Sequence, residues 1–179
     1  MAQRQRMEAM IDEFRIPQWE RLPATANGYP YIGATISHLQ AIKLAKARGF
    51  KNVLIFEDDF EFLMTPAEVE TRLAEVLASP LADTYDVVML GCWVNRSEPV
   101  AEHGAIRRAL DAQAFSGYIV SERYYDELIR VIEDGLTKLI ATHEHWNYMV
   151  DQSVKQSQPH SRWLYFADRR IGKQTDREI

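Results

Sequence analysis

The chain of 179 residues is 46% hydrophobic with a formal net charge of −5, which suits one domain over 1–179 with a core of its own. The acidic balance, with no run of Lys or Arg, leaves counterion release little to work with, so nucleic acid is not an expected partner. Cys92 is the single cysteine; an intrachain disulfide and a thiolate cluster are excluded, and a reducing, cytoplasmic setting is expected.

Residues 1–6 are polar, and no apolar stretch approaches the roughly 20 residues needed to cross a bilayer. No signal peptide or membrane span is expected, and any membrane association would be peripheral. Met7, Met10, Ile11 and Phe14 fall at i, i+3, i+4 and i+7, the stripe of an amphipathic helix that ends before Pro17. A loop through Pro23, Gly28 and Pro30 leads to a second predicted helix, from about Ala34 to Arg48, with Gly49 as its C-terminal cap. A strand over 52–57 follows, with the apolar run Val53, Leu54, Ile55 and Phe56 as its body. Thr65-Pro66-Ala67-Glu68 is a capping box with proline at the first helical position, which starts a helix running to about Ala78.

Asp86 to Leu90 predict a strand closed by Gly91, and Ala114 to Val120 another. Ser121 is the expected N-cap of a helix carrying Leu128, Ile129, Ile132, Leu136, Leu139 and Ile140. Trp163 to Phe166 predict a late strand. Strands alternating with helices imply an α/β fold with a mainly parallel sheet flanked by helices, and an antiparallel member from the irregular 92–120 region.

Glu57, Asp58 and Asp59 stand directly behind the apolar run. Ligands bind at the carboxyl ends of buried strands, and acids crowded together where the chain leaves the core repel one another unless a cation sits between them. The triplet therefore reads as a divalent metal site, whose oxygen ligands suit Mg²⁺ or Mn²⁺. The ordinary alternative is a solvated or helix-capping acidic stretch. His143-Glu144-His145 does not read as a zinc site, because residues two apart do not share a helix face and a third ligand is missing.

The order Gly33, Ser37-His38, a helix, then Val53 to Phe56 with Glu57-Asp58-Asp59 resembles glycosyltransferase family 25, the lipopolysaccharide and collagen galactosyltransferase-like group. Asp86-Val87-Val88-Met89-Leu90-Gly91, Gly117-Tyr118-Ile119-Val120-Ser121, Val150-Asp151 and the tail Gly172-Lys173-Gln174 with Asp176 and Ile179 are similar to further elements of that family, in its order. The family's opening strand, which begins its nucleotide-binding half, has no counterpart in this chain.

The resemblance implies a GT-A-like fold lacking that first strand, and an inverting, metal-dependent transfer of a sugar from a nucleoside diphosphate, a UDP-sugar, to a glycan or lipid-linked saccharide in lipopolysaccharide biosynthesis. It implies Asp59 as the direct metal ligand, with Asp58 an equal candidate because strand ends bulge. Glu57 or Asp58 would then hold the ribose or a metal-bound water. In extended geometry Glu57 and Asp59 point to one side and Asp58 to the other. Gly33, Ser37 and His38 are placed at the donor, since backbone N–H groups early in a helix favour an anion, with a satisfied helix-face histidine as the equal alternative for His38. Asp151 is the expected base on the acceptor hydroxyl, with Asp111 in reserve. Trp93 offers a stacking surface, Gln113, Ser116 and Tyr118 lie on the acceptor side, and Arg169, Arg170 and Lys173 form a small basic cluster. Two other readings stand beside this one: an accessory GT-A-like domain with weakened donor binding, and, last, a metal-dependent phosphoesterase using Asp86 and Asp151. The sheet edge left by the absent strand would be covered in a homodimer.

Overall fold

The computed structural model describes residues 2–101 and 103–175, so Asp176 and Ile179 lie outside the described residues. Helix α1 (Ala2–Glu13) turns its Met10 and Ile11 inward. Helix α2 (Pro30–Ala47) begins four residues ahead of the expected start, with Pro30 in its first turn. It stops as anticipated. Gly49, at φ +67°, donates to Lys46 O, and Phe50 N–H reaches Ala45 O, the paired bonds of a Schellman end. Strand β1 (Asn52–Phe56) follows, then the short β2 (Phe60–Phe62) and helix α3 (Pro66–Leu77), whose capping box closes reciprocally: Glu68 N–H donates to Thr65 Oγ1 at 3.4 Å and Thr65 N–H to Glu68 Oε2 at 2.8 Å.

The next two strands are longer than expected. β3 (Val87–Pro99) and β4 (Ile106–Ser121) form a bulged antiparallel hairpin that continues through Gly91. After a 3₁₀ turn over Glu122–Tyr124 come α4 (Tyr125–Thr142), the short helices α5 (His145–Tyr148) and α6 (Val150–Ser153), and finally β5 (Trp163–Phe166) and β6 (Gly172–Gln174). Ser121 precedes that turn but makes no side-chain cap.

The main sheet has the order β1-β4-β3-β5. It is mixed rather than mainly parallel: β1 and β3 both run antiparallel to β4, and β3–β5 is the one parallel pair among the described residues. The physical reason is connection length. Residues 100–105 are too few for the crossover that parallel neighbours require, so β3 and β4 must meet as a hairpin. Bulges between Met89 and Ser97 bend that hairpin, and β5 fills the curl, pairing with Val87–Met89 on one edge and Ile106–Ala109 on the other.

Both faces of the sheet are buried, as the near-continuous apolar runs require. Val87, Met89, Tyr118 and Val120 pack on Leu39 and Ile42 of α2 and Leu128 and Ile132 of α4. Val88, Leu90, Ile119 and Leu164 pack on Met10 and Ile11 of α1 and Val69 and Val76 of α3. Strand β1 ends the sheet. Glu57 N–H donates to Ser116 O and Glu122 N–H to Lys51 O, so the odd-numbered residues of β1 bond to β4 and the peptide groups of Asn52, Leu54 and Phe56 face the free edge.

A second, two-stranded sheet pairs β2 with β6. It rests on the main sheet through glycines: a Cβ on Gly117 or Gly172 would lie 2.3 or 2.2 Å from the Phe60 ring, and one on Gly91 would lie 2.8 Å from Gly172 O. Gly91 therefore marks a close approach of backbones, not the end of a strand. The acidic segment 57–59 spans the corner between the two sheets.

Candidate functional site

Glu57 and Asp59 converge, but not by strand alternation: β1 ends at Phe56, and residues 57–60 make a turn closed by Phe60 N–H on Glu57 O at 3.2 Å; β6 supplies what the two carboxylates meet. Gln174 Nε2 donates to Asp59 Oδ2 at 2.9 Å and lies 3.2 Å from Glu57 Oε2. Asp59 is buried at 1% exposure. Asp58 is on the other side, exposed, where it accepts from Gln3 Nε2 at 3.3 Å. Of the two proposed metal ligands only Asp59 therefore belongs to the converging pair, with Glu57 as its neighbour.

Behind Glu57 runs a buried chain of hydrogen bonds. Its Oε1 is 2.9 Å from His38 Nε2, and His38 Nδ1 is 2.7 Å from the Tyr118 hydroxyl. Burial first, and then the nearby Glu57 charge, hold the Tyr118 phenol well above its usual pKa. The phenol thus stays protonated and is able to donate to Nδ1, with Nε2–H donating to Glu57. One neutral tautomer satisfies every atom in the chain. His38, at 5% exposure, is a satisfied histidine bonded to a carboxylate, the alternative that stood beside the ligand-binding reading.

Gly33 and Ser37 likewise serve the fold. A Cβ at Gly33 would sit 2.4 Å from Thr25 O, and Ser37 Oγ accepts from Thr25 N–H at 3.0 Å while donating to Gly33 O. Because α2 starts at Pro30, Ser37 and His38 lie in its third turn, where no free N–H groups remain for an anion.

A cleft of about 480 Å³ opens beside this corner, lined by Asp59, Gly91, Trp93, Ala114, Arg170 and Lys173 among others. Arg170 places its guanidinium 4.6 Å from the centroid of Trp93, an exposed ring. Lys173 pairs with Glu61 at 3.0 Å. The expected basic cluster is divided: Arg169 turns to Glu68 and Leu63 O on the α3 side. Cys92, also in the wall, has its thiol pushed up to about 12 by burial, partly offset by Arg170, which disfavours the thiolate.

Asp151, on α6, is bonded to a residue of the cleft wall. Its Oδ2 accepts from Ala114 N–H at 3.3 Å and its Oδ1 from Gln152 Nε2 at 3.3 Å. Ala114 has φ +68°; this left-handed residue at a cleft wall turns its N–H toward the carboxylate, strain of the kind concentrated at functional sites. Asp86 is elsewhere, held by Arg162 N–H at 2.7 Å and Arg123 at 3.1 Å. His143 and His145 join a ring cluster with Tyr29 and Tyr31, the Tyr31 and His145 rings stacking at 4.0 Å.

Among the described residues no group of three or more His, Cys, Asp or Glu side chains forms a complete metal centre. The donor set at the corner still fits a hard cation: Mg²⁺ commonly takes one or two protein carboxylates and completes its shell with substrate phosphates and water. Asp59 and Glu57 are such carboxylates.

Gln174 and the Tyr118–His38 link had no functional reading from sequence. Their signal was weak: Gln174 appears as part of a familiar-looking tail, 115 residues from Asp59. Compared with models of known protein families and with curated proteins, the chain matches none.

Proposed function

We propose that this chain is a metal-dependent inverting glycosyltransferase that moves a sugar from a nucleoside diphosphate, a UDP-sugar, to a glycan or lipid-linked saccharide, in the manner of the family 25 enzymes it resembles. The observation that carries the reading is the cleft itself, with Asp59 and the cations Arg170 and Lys173 in its wall and Asp151 bonded to Ala114, another wall residue. Asp59, with Glu57, would hold Mg²⁺ or Mn²⁺. The ion, when bound, supplies neutralisation of the charge on the departing diphosphate.

The remaining work falls to the chain. Asp59 is held by Gln174, Glu57 by His38 and Gln174, and Arg170 adds positive charge near the phosphates. Asp151 takes the proton of the acceptor hydroxyl, whose oxygen forms the new bond to the anomeric carbon as the bond to the diphosphate breaks. Among the described residues no helix is long and apolar enough to cross a membrane.

Purified protein with Mn²⁺ is expected to turn over a UDP-sugar, Asp59→Asn to abolish turnover, and Asp151→Asn to lower it about 10²- to 10⁴-fold. Turnover unchanged in Asp59→Asn defeats the reading. The free edge of β1 favours one competitor, an accessory domain with weakened donor binding. Calorimetric titration with UDP and Mn²⁺ separates the two: no heat at millimolar ligand selects the accessory domain.

A further inference from the structure

We propose that Arg6, on α1, is a positioning residue for the cation site: with Thr175 it holds the turn over 57–60 in the conformation that presents Asp59. This rests on the reading of Asp59 as a metal ligand and adds what keeps that ligand in place.

The turn closes on one bond between its ends, Phe60 N–H to Glu57 O at 3.2 Å. Neither central residue, Asp58 or Asp59, has a positive φ, so the turn is not of type II. Rotation of the central peptide by about 180° would make it so, with φ of about +80° at Asp59. Aspartate tolerates that conformation better than most residues do, and the closing bond survives the flip. The change of φ would swing the Asp59 side chain about its N–Cα bond and off Gln174.

What bars the flip comes from outside the turn. Arg6 Nη2 donates to Asp58 O, the carbonyl of the central peptide, at 3.4 Å, and to Thr175 Oγ1 at 3.1 Å. Thr175 Oγ1 donates in turn to Asp59 O at 3.0 Å, and Thr175 N–H to the same oxygen at 2.7 Å. Both central carbonyls are thus held, one by α1 and one by the residue that follows Gln174. A hydroxyl that accepts from a guanidinium is the stronger donor for it, so Arg6 also strengthens the Thr175 bond. Gln3, one turn earlier on the same face of α1, donates to Asp58 Oδ1 at 3.3 Å. Arg6 further brings positive charge to a turn that carries Glu57, Asp58 and Asp59. The helix is seated for this work: Phe14 stacks at 4.0 Å on Phe62 of β2, the strand directly after the turn.

Two measurements on the full chain test the brace: amide hydrogen exchange by NMR without metal, and calorimetric titration of Mn²⁺ in the presence of UDP. Arg6→Ala should speed exchange at the amides of residues 60 and 175 and weaken Mn²⁺ binding about tenfold. Thr175→Val should do the same, while Thr175→Ser, which keeps the hydroxyl, should match the wild type. Arg4→Ala is the control on the same helix, because Arg4 pairs within α1, with Glu8 at 2.8 Å; circular dichroism confirms that each variant is folded. Folded Arg6→Ala and Thr175→Val that exchange or bind as the wild type does would overturn the proposal, as would a loss in Arg4→Ala equal to that in Arg6→Ala. Faster exchange in Arg6→Ala, in a chain that takes no Mn²⁺, keeps the brace and removes the metal reading of Asp59.

Discussion

His38 illustrates how a buried polar residue is kept at low cost. Both ring nitrogens lie within hydrogen-bond distance of a partner, at 2.7 and 2.9 Å, so the desolvation that would otherwise disfavour a buried imidazole is offset. The two bonds are not equivalent. The one to Glu57 aims a carboxylate at the candidate site, and the one from Tyr118 selects the tautomer able to make it. Tyr118→Phe keeps the ring, which stacks on Phe115 at 3.5 Å, and removes only the donor. Nδ1 is then buried without a partner, at a cost of about 1–3 kcal/mol. Urea unfolding should register that loss. ¹⁵N NMR should find His38 locked as the Nε2–H tautomer in the wild type and mixed in the variant, and an Nδ1–H tautomer in the wild type would refute the assignment.

At the level of helices and strands, the features readable from sequence were those with local causes. Thr65 to Glu68 announced α3 because a capping box closes within four residues, and Gly49 announced the end of α2 because only the left-handed conformation makes both closing bonds. What escaped is non-local. β3 runs eight residues past Gly91 because β4 pairs with it there, a partnership with no trace in the composition of either segment, and the parallel sheet was mis-assigned for the same reason. In the site, the shared side of Glu57 and Asp59 was expected from strand alternation, but it comes from a turn over 57–60 and from Gln174. The work of Gly33, Ser37 and His38 is equally non-local, since it depends on the loop at Thr25 and on Tyr118.

The α3 box also predicts a pH dependence. Glu68 is held below the usual carboxylate range, first by the Thr65 N–H, then by the Thr65 hydroxyl and by Arg169. Folding thus favours the ionised form, so its contribution is in place above the ordinary glutamate pKa and is lost as pH falls through the lowered one. Glu68→Gln should narrow the stability difference between neutral and acid pH; an unaltered pH profile would count against the box. Thr65→Ala should cost about 1 kcal/mol in urea unfolding.

In the molecule as a whole, the small sheet docked on the large one joins stability to the site. Phe60, 1% exposed, fills the joint, and Gly117 and Gly172 exist as glycines because its ring occupies the space of their side chains. Two residues beyond Gly172 on β6 is Gln174, the side chain shared by Glu57 and Asp59. A Cβ at position 172 would lie 2.2 Å from the Phe60 ring and 2.8 Å from Glu61 O. Glu61 O is backbone and cannot swing aside as a flexible side chain would, so relief requires β6 to move outward. Gly172→Ala should therefore destabilise by about 1–3 kcal/mol, as overpacking does, and displace Gln174 in the same step. Gly104→Ala is the control, because nothing lies within 4 Å of its added Cβ. Thermal unfolding and calorimetric titration of Mn²⁺ with UDP should both shift in Gly172→Ala and neither in Gly104→Ala. A Gly172→Ala variant that unfolds early yet binds as the wild type does would place the grip on the carboxylates elsewhere than β6.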